Sequence, residues 1–393
     1  MKKTMTSIEL FSGAGGLALG LEKAGWRHAA LIERNEHACS TIHLNESLGH
    51  PLAKSWRLYS MDVRDINYSG LGLKLDLDMV AGGPPCQPFS LGGKHRAYQD
   101  RRDMFPEAVR AVRELRPKCF LFENVKGLLR QSFVTYFHYI ILQLSYPLLV
   151  RKEDENWESH LSRLERIHTS GKQMDLSYNV VYRLLDAADY GVPQRRHRVF
   201  IVGFRSDLGR EWSFPGPTHS MDRLLWDQWV TWSYWDEHAI PKKARPQVPQ
   251  RLQRRVQKLA SDFSLFVPPG ERCLTVRDAL LGLPDPKDKQ HNVPNHEFRE
   301  GARPYPGHTG SILDEPSKAL KAGDHGVPGG ENMIVLPDGS CRYYTVRESA
   351  RVQTFPDDYV FSGSWTEAMR QIGNAVPVNL ATVVGQSVMK QIV

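Results

Sequence analysis

Residues 7–17 read SIELFSGAGGL, and this stretch decides how the first third of the chain is read. Ser7 to Phe11 has the composition of a short strand. Ser12-Gly13-Ala14-Gly15-Gly16 follows as a loop whose backbone amides a ligand can approach, and apolar periodicity from Leu17 predicts a helix. Ala29 to Glu33 predicts a second strand that ends in an acid. Leu77 to Ala81 and Cys119 to Phe122 predict further strands, with a helix over Met104 to Leu115 between them. This β-α-β alternation predicts an α/β fold with a doubly wound, mixed but mostly parallel sheet. Residues 126–176 read as a mostly helical insertion with a charged surface stretch at 151–156. Val180 to Leu185 and Val199 to Phe204 then resume the strand pattern.

Composition narrows the class. The chain has 393 residues, 41% of them hydrophobic and 24% charged, which is ordinary for a soluble globular protein and long enough for two or three domains. The basic start has no long apolar stretch behind it, and no run of about 18 apolar residues occurs, so neither a signal peptide nor a membrane partner is expected. Cys39, Cys86, Cys119, Cys273 and Cys341 form no CxxC pair. That spacing points to a reducing, cytoplasmic setting and away from disulfides or a bound metal. A net charge of +7 permits a polyanionic partner. Beyond Phe204, residues 205–345 turn rich in proline and glycine and read as a separate, loop-rich domain.

The glycine loop departs from the dinucleotide pattern GxGxxG. Glu33 can accept from ribose hydroxyls and Asp62 from an adenine amino group, so a nucleoside cofactor without pyrophosphate, such as S-adenosylmethionine, is favoured. A second loop, GGPPCQPFS at 82–90, spends glycines and prolines around one cysteine. Prolines fix φ while glycines relax it, so the loop reads as a stiff support for Cys86. Glu123 ends the strand Phe120 to Phe122. Carboxyl ends of parallel strands open on one crevice, so Glu123, Cys86, the glycine loop and Glu33 are expected to converge there.

These segments, taken together, resemble a known family. PPCQPFS at 84–90, ENV at 123–125, QRRHR at 194–198 and GNAVP at 373–377 are similar, in order, to motifs of the DNA (cytosine-5)-methyltransferases of bacterial restriction-modification type. FSGAGG resembles their first motif and RESARVQTFPDDY at 347–359 their penultimate one. The likeness spans residues 7 to 381 and is weakest over 126–176 and 205–345. It implies a Rossmann-like catalytic and S-adenosylmethionine-binding domain made of 1–204 and 372–393, with the last motif folded beside the first. It further implies a target-recognition domain at 205–345 and a hinge at 346–371. Cys86 would add to C6 of a flipped-out cytosine, Glu123 would hold a proton at N3, Arg198 would contact the base, and Arg196 would hold the catalytic loop or a phosphate. Cofactor contacts would come from Phe11, Gly13, Gly15, Gly16, Glu33, Asp62, Val63, Pro85, Asn374 and Val376. The implied partner is double-stranded DNA. A cognate restriction endonuclease would act on the same site without touching this chain, which would be a monomer associated with the nucleoid. One departure concerns residues 99–105, where Gln99 stands in the leading acid position of the family's D-x-R-x-x-L-F pattern and Arg101 takes the arginine's place.

For the DNA surface, Lys242, Lys243, Arg245, Arg251, Arg254, Arg255 and Lys258 fall in a stretch without an acid. It reads as a phosphate-contacting strip, or else as a solvated helix face. Trp226, Trp229, Trp232 and Trp235 recur every third residue, which favours a packed face over a base-stacking platform. Residues 316–326 resemble the family's recognition segment, with Ala319-Leu320 where Thr-Leu is usual. Lys318, Lys321, His325 and Asn332 are candidates to read bases, and Gln87 and Ser90 to touch DNA. Two other readings stand beside the first: a tRNA cytosine-5 methyltransferase, and a silent DNA-binding homologue. The long 205–345 region weighs against the former, and intact PPCQPFS and ENV against the latter.

Overall fold

The computed structural model describes residues 4–72, 77–85, 103–172, 174–306, 309–322 and 332–392. The chain divides into two compact units: the first holds Met1–Leu185, His197–Phe214 and Asp357–Val393, the second Asp186–Arg196 and Pro215–Pro356.

The first unit is built on a seven-stranded sheet. In chain order its elements are β1 (Thr6–Leu10), α1 (Gly16–Ala24), β2 (Arg27–Glu33), α2 (Glu36–Ser47), β3 (Leu58–Ser60), β4 (Met79–Gly82), α3 (Phe105–Leu115) and β5 (Cys119–Val125). Helices α4 (Val134–Ser145) and α5 (Trp157–Ser170) come next, then β6 (Tyr178–Asp186) and β7 (His197–Arg205). The strand order is β3-β2-β1-β4-β5-β7-β6. Strands β3, β2, β1, β4 and β5 run parallel, and β7 joins β5 antiparallel. Every residue of β4 and all of β5 but Val125 are buried, as a sheet covered on both faces requires. Successive residues serve opposite faces: Ile8, Leu10, Ile32, Val80, Phe120 and Phe122 join one core with α3 and α4. The expected helical insertion is present as α4 and α5, joined through the charged stretch 151–156.

The second unit contains β8 (His219–Ser220), α6 (Met221–Trp229), α7 (Ser233–Glu237), α8 (Gln250–Asp262), β9 (Glu271–Arg272) and α9 (Val276–Leu280). It closes with β10 (Ser311–Ile312), β11 (Met333–Val335), β12 (Cys341–Tyr343) and α10 (Val346–Val352). Its core is aromatic. Trp226, Trp229 and Trp235 are buried with Tyr234, Val256 and Leu259, and Trp232 packs against them, so the tryptophan periodicity is a packing pattern. Glu237, His238 and Asp278 cluster here too, with Arg272 bonded to both carboxylates at 2.7–2.8 Å. The boundaries differ from those expected. Residues 186–196 belong to the second unit rather than the first, and the passage back to the first unit falls within the span 346–371, between Pro356 and Asp357. Helix α10 sits in the second unit, capped by Thr345 and Glu348 in a reciprocal capping box, and the chain enters the first unit at Asp357.

Back in the first unit, α11 (Trp365–Asn374) and α12 (Val378–Ile392) complete the chain. Helix α12 lies directly on α1. A Cβ placed on Gly20 would stand 2.4 Å from the Ala381 Cβ and 2.6 Å from the Val378 carbonyl oxygen, and one on Gly385 would stand 2.7 Å from Leu21. Two glycines therefore set the spacing of this helix pair. Trp26 Nε1 donates to the Gly385 carbonyl at 3.1 Å and locks it. Replacing Gly20 by Ala gains about 1 kcal/mol of helix propensity. The clash falls on backbone, which cannot yield as a side chain does, and such overpacking costs about 1–3 kcal/mol or more. Gly20→Ala is therefore expected to lower the urea midpoint, and adding Ala381→Gly to recover part of the loss. A Gly20→Ala protein as stable as the parent would refute the contact.

Candidate active site

The chain orders β1, β2 and β3 to one side and then places β4 on the far side of β1, so the sheet reverses direction between β1 and β4. At such a reversal the two following loops diverge and leave a crevice. Leu10 pairs with Gly82 and Gly82 with Phe122, so the loops after β1 and β4 begin side by side while β5 runs on beside them through Glu123 to Val125. A Cβ on Gly82 would stand 2.4 Å from the Leu10 carbonyl oxygen, so only glycine fits this end of β4.

The loop after β1 is held in left-handed backbone at Phe11 (φ 56°), Gly13 (φ 52°) and Gly15 (φ 84°). Glycine adopts this at little expense, whereas Phe11 bears about 1–2 kcal/mol. Tyr359 Oη donates to the Ala14 carbonyl at 2.8 Å, and Trp56 and Tyr359 wall Gly15. Above Gly13 the space is open to at least 4 Å. Glu33 faces this loop from the end of β2. Its carboxylate accepts from the amides of Gly13 (2.8 Å), Arg34 (2.9 Å) and Asn35 (2.7 Å). A carboxylate offers about four acceptor sites, so about one remains open toward the crevice. Asp62 is more fully engaged: Arg64 supplies its amide, Nε and Nη2, and Arg34 its Nη1. These bonds to Arg64 hold the Asp62 carboxyl well below the usual range, and an adenine amino group must displace an arginine to reach it. Val63 is buried, Asn374 is exposed at the end of α11, and Val376 is buried just ahead of α12.

Beside the glycine loop, Asn124 Nδ2 donates to the Pro84 carbonyl at 2.9 Å, and Met104 N donates to the Pro85 carbonyl at 3.3 Å. Those bonds tie the loop leaving β4 to β5 and to the start of α3. A Cβ on Gly83 would lie 3.3 Å from Glu123 Oε2, so this carboxylate sits against the stem of the cysteine loop. Across the strand pair, Arg198 Nε meets Glu123 Oε1 at 2.6 Å, with both side chains largely buried. Burial draws the Arg198 pKa down and Glu123 draws it back up; the net direction is down. Cys86, Gln87, Ser90, Arg101 and His325 lie outside the described residues.

In the second unit the QRR stretch acts as a brace. Ser317 N donates to the Pro193 carbonyl (2.9 Å), Arg195 N to the Ser317 carbonyl (2.8 Å) and Leu320 N to Gln194 Oε1 (3.0 Å). Arg196 is 1% exposed and its Nη1 donates to the Leu320 carbonyl at 2.9 Å. A guanidinium so enclosed has no face for a phosphate, which corrects that part of its expected role. Asn332 is corrected likewise: it is fully buried and spends its amide on the Lys321 backbone. Lys318 and Lys321 are exposed, and Lys318 Nζ donates to Thr309 Oγ1. Arg251, Arg254 and Arg255 stand on the exposed face of α8, where Arg251 pairs with Glu315 and Arg255 with Asp222.

With this geometry in view, comparison with known proteins settles the family. The model of the C-5 cytosine-specific DNA methylases matches residues 5–146 and 158–390. The chain belongs to that family. Among its relatives, the Type II methyltransferase M.Eco47II of Escherichia coli is 33% identical over 98% of this chain and 78% of its own length. M.PspPI of Psychrobacter sp. is 31% identical over 99% and 80%, and M.NgoMIV of Neisseria gonorrhoeae 30% over 98% and 97%. In structure the cytosine methylase is similar to a prophage-encoded E. coli DNA modification methyltransferase (TM-score 0.58, 22% identity, 99% of each chain). It also shares its fold with S. pombe Dnmt2 (TM-score 0.52, 17% identity, 99% of this chain and 98% of that one). The expected mixed, mostly parallel α/β fold and the DNA cytosine-5 methyltransferase activity both stand. Among the described residues no helix is long and apolar enough to cross a membrane.

Two residues of the site carried weaker signals. Trp56 lies in no quoted motif, and Tyr359 ends the penultimate one without a role of its own. Only the fold brings both to Gly15. The Glu123–Arg198 pair makes a direct test possible. Removing one partner strands a buried charge, at about 3–5 kcal/mol, whereas replacing both is nearly neutral. Glu123→Gln and Arg198→Met should each lower the denaturation midpoint, and the double variant should regain most of the stability while staying inactive. Additive losses in the double variant would show that the pair is not coupled.

Proposed function

We propose that this cytosine methylase transfers a methyl group from S-adenosylmethionine to C5 of a cytosine rotated out of duplex DNA, through transient addition of Cys86 to C6. The observation that carries the reading is the convergence at the sheet reversal. The stem of the cysteine loop is bonded to the strand bearing Glu123, one strand from the glycine loop.

The first unit fits a nucleoside cofactor. The open space above Gly13, the oriented carboxylate of Glu33, and the aromatic walls at Gly15 offer room, one hydroxyl acceptor and apolar contact. S-Adenosylmethionine, when bound, supplies an electrophilic methyl on a sulfonium. Phe11, Gly13, Gly15, Gly16, Glu33, Asp62, Val63, Pro85, Asn374 and Val376 would hold it.

Cytosine C5 is too electron-poor to attack that methyl unaided. Addition of the Cys86 thiolate to C6 makes the ring a nucleophile at C5. A proton held at N3 by Glu123 keeps charge from building on the ring during addition. Arg198 is bonded to that same carboxylate, so it orients Glu123 and contributes the positive charge that favours a thiolate. After transfer, loss of the C5 proton and expulsion of Cys86 restore the ring. The second unit would grip the duplex, since a base buried in a stack must be unstacked before it can react. The chain would act as a monomer. The Type II names of its relatives support a protective role beside a restriction endonuclease that reads the same sequence.

Incubation with radiolabelled S-adenosylmethionine and either duplex DNA or tRNA tests the reading. Label should enter duplex DNA only, and Cys86→Ser should abolish it. A duplex with 5-fluorocytosine at the target should trap a covalent adduct on denaturing gels, because fluorine cannot leave as the proton does. An active enzyme that forms no adduct would exclude attack by a thiol. A second measurement addresses the glycine loop. Tyr359→Phe removes one buried hydrogen bond, worth about 1 kcal/mol, and should weaken S-adenosylmethionine binding about fivefold by calorimetry. Unchanged affinity would show that the tether does not shape the cofactor site.

A further inference from the structure

Helix α8 ends at Asp262, and the chain that follows behaves unlike the rest of the second unit. Leu265 is 84% exposed, Phe266 76% and Val267 54%. Single exposed apolar residues are ordinary, but three large ones stand exposed in a row at one tip, away from the core of the described residues. The tip is also firmly seated. On one side Phe263 packs against the aromatic core, and its carbonyl accepts from Phe266 N at 3.2 Å. On the other side Pro268 is buried, and Glu271 N bonds to the Thr218 carbonyl where β9 pairs with β8. A Cβ on Gly270 would stand 3.0 Å from that same carbonyl oxygen. The apolar residues are thus presented on a clamped stem.

What the tip faces is indicated by the helix that leads into it. Val256 and Leu259 bury one side of α8, while Arg251, Arg254, Arg255 and Lys258 share the exposed side. Arg251 and Arg255 are paired with acids, but Arg254 and Lys258 have no carboxylate partner among the described residues. A cationic helix face that runs into an apolar tip suits a polyanion with apolar surfaces between its charges. Duplex DNA has both, with phosphates outside and, between its stacked base pairs, apolar faces that a side chain entering from a groove can reach.

We propose that residues 264–267 form an apolar wedge that enters a groove of the duplex once the basic face of α8 has met the phosphates, with Phe266 as its leading side chain. The proposal rests on the duplex-DNA reading above and adds a residue-level contact to it. Phosphate contacts give salt-dependent affinity without sequence information, whereas a wedge acts through stacking and deformation of the duplex and is indifferent to salt.

That difference supplies the test. The full-length protein and its variants are titrated against a fluorescein-labelled mixed-sequence duplex across a salt series. Leu265→Ser/Phe266→Ser should bind about tenfold more weakly, the scale of one lost aromatic–base contact, with the slope of log K against log salt unchanged. Arg254→Gln/Lys258→Gln should instead lower the slope by about two. Phe266→Trp should restore or exceed parental affinity. Should the double serine variant melt early, Phe266→Ser alone repeats the measurement. Parental binding by the serine variants, or a loss that changes the salt slope, overturns the wedge. Sedimentation showing that the serine variants convert a dimer into monomers at parental DNA affinity also overturns it, by assigning the tip to a second copy of the chain. A parental protein that neither binds nor methylates duplex DNA strikes the functional reading itself, whereas full methylation by the serine variants strikes only the wedge.

Discussion

Everything in the first unit hangs on the pairing of β1 with β4. The two strands run parallel in register, Leu10 against Gly82, at the point where the sheet changes direction. Parallel neighbours send their loops out at the same end, and a reversal of winding sends the connected helices apart, so a crevice is the geometric result. The approach of Gly82 to the Leu10 carbonyl allows no side chain. The glycine at the head of GGPPC is therefore a packing requirement before it is anything chemical. Because β5 lies next to β4 in matching register, Glu123 follows into the same corner without any special loop.

Two further constraints complete the unit. Gly20 and Gly385 let α12 press against α1, which returns the last residues of the chain to the helix that starts at the glycine loop. Removing either small residue would hold the helices apart by the width of a methyl group. The Glu123–Arg198 pair is the costlier device. Two charges are withdrawn from water, and their mutual contact, with the bond from Arg198 Nη1 to the His197 carbonyl at 2.9 Å, offsets part of the loss. A residue pair chosen for stability alone would be apolar at this depth. Its presence marks the corner as one where charge has work to perform, and the antiparallel strand β7 exists there to carry the arginine.

The second unit shows how far motif likeness reaches. The family resemblance gave Arg196, within the QRRHR stretch, the catalytic loop or a phosphate to hold. In the fold Gln194, Arg195 and Arg196 brace the segment 317–320, with the Arg196 guanidinium shut inside. Asn332 has the chemistry to read a base, yet burial consigns it to the Lys321 backbone. The same limit touches the cofactor residues. Glu33 and Asp62 were legible as acceptors, but neither motif nor spacing shows that backbone amides and arginines already occupy most of their lone pairs. The tryptophans were read as packing, and they pack.

From its own order of residues this chain determined the alternation of strand and helix, the glycine loop, the cysteine loop and the family to which they belong. All of these are local patterns, set by side-chain period and by the backbone freedom of glycine and proline over a few residues. Only the tertiary structure decided that Arg198 meets Glu123, that Tyr359 and Trp56 hold Gly15, that residues 186–196 serve the second unit, and that Leu265 and Phe266 stand in water. These facts join residues far apart in the chain or depend on burial. Burial and long-range contact are properties of the packed chain, and no stretch of sequence carries them by itself.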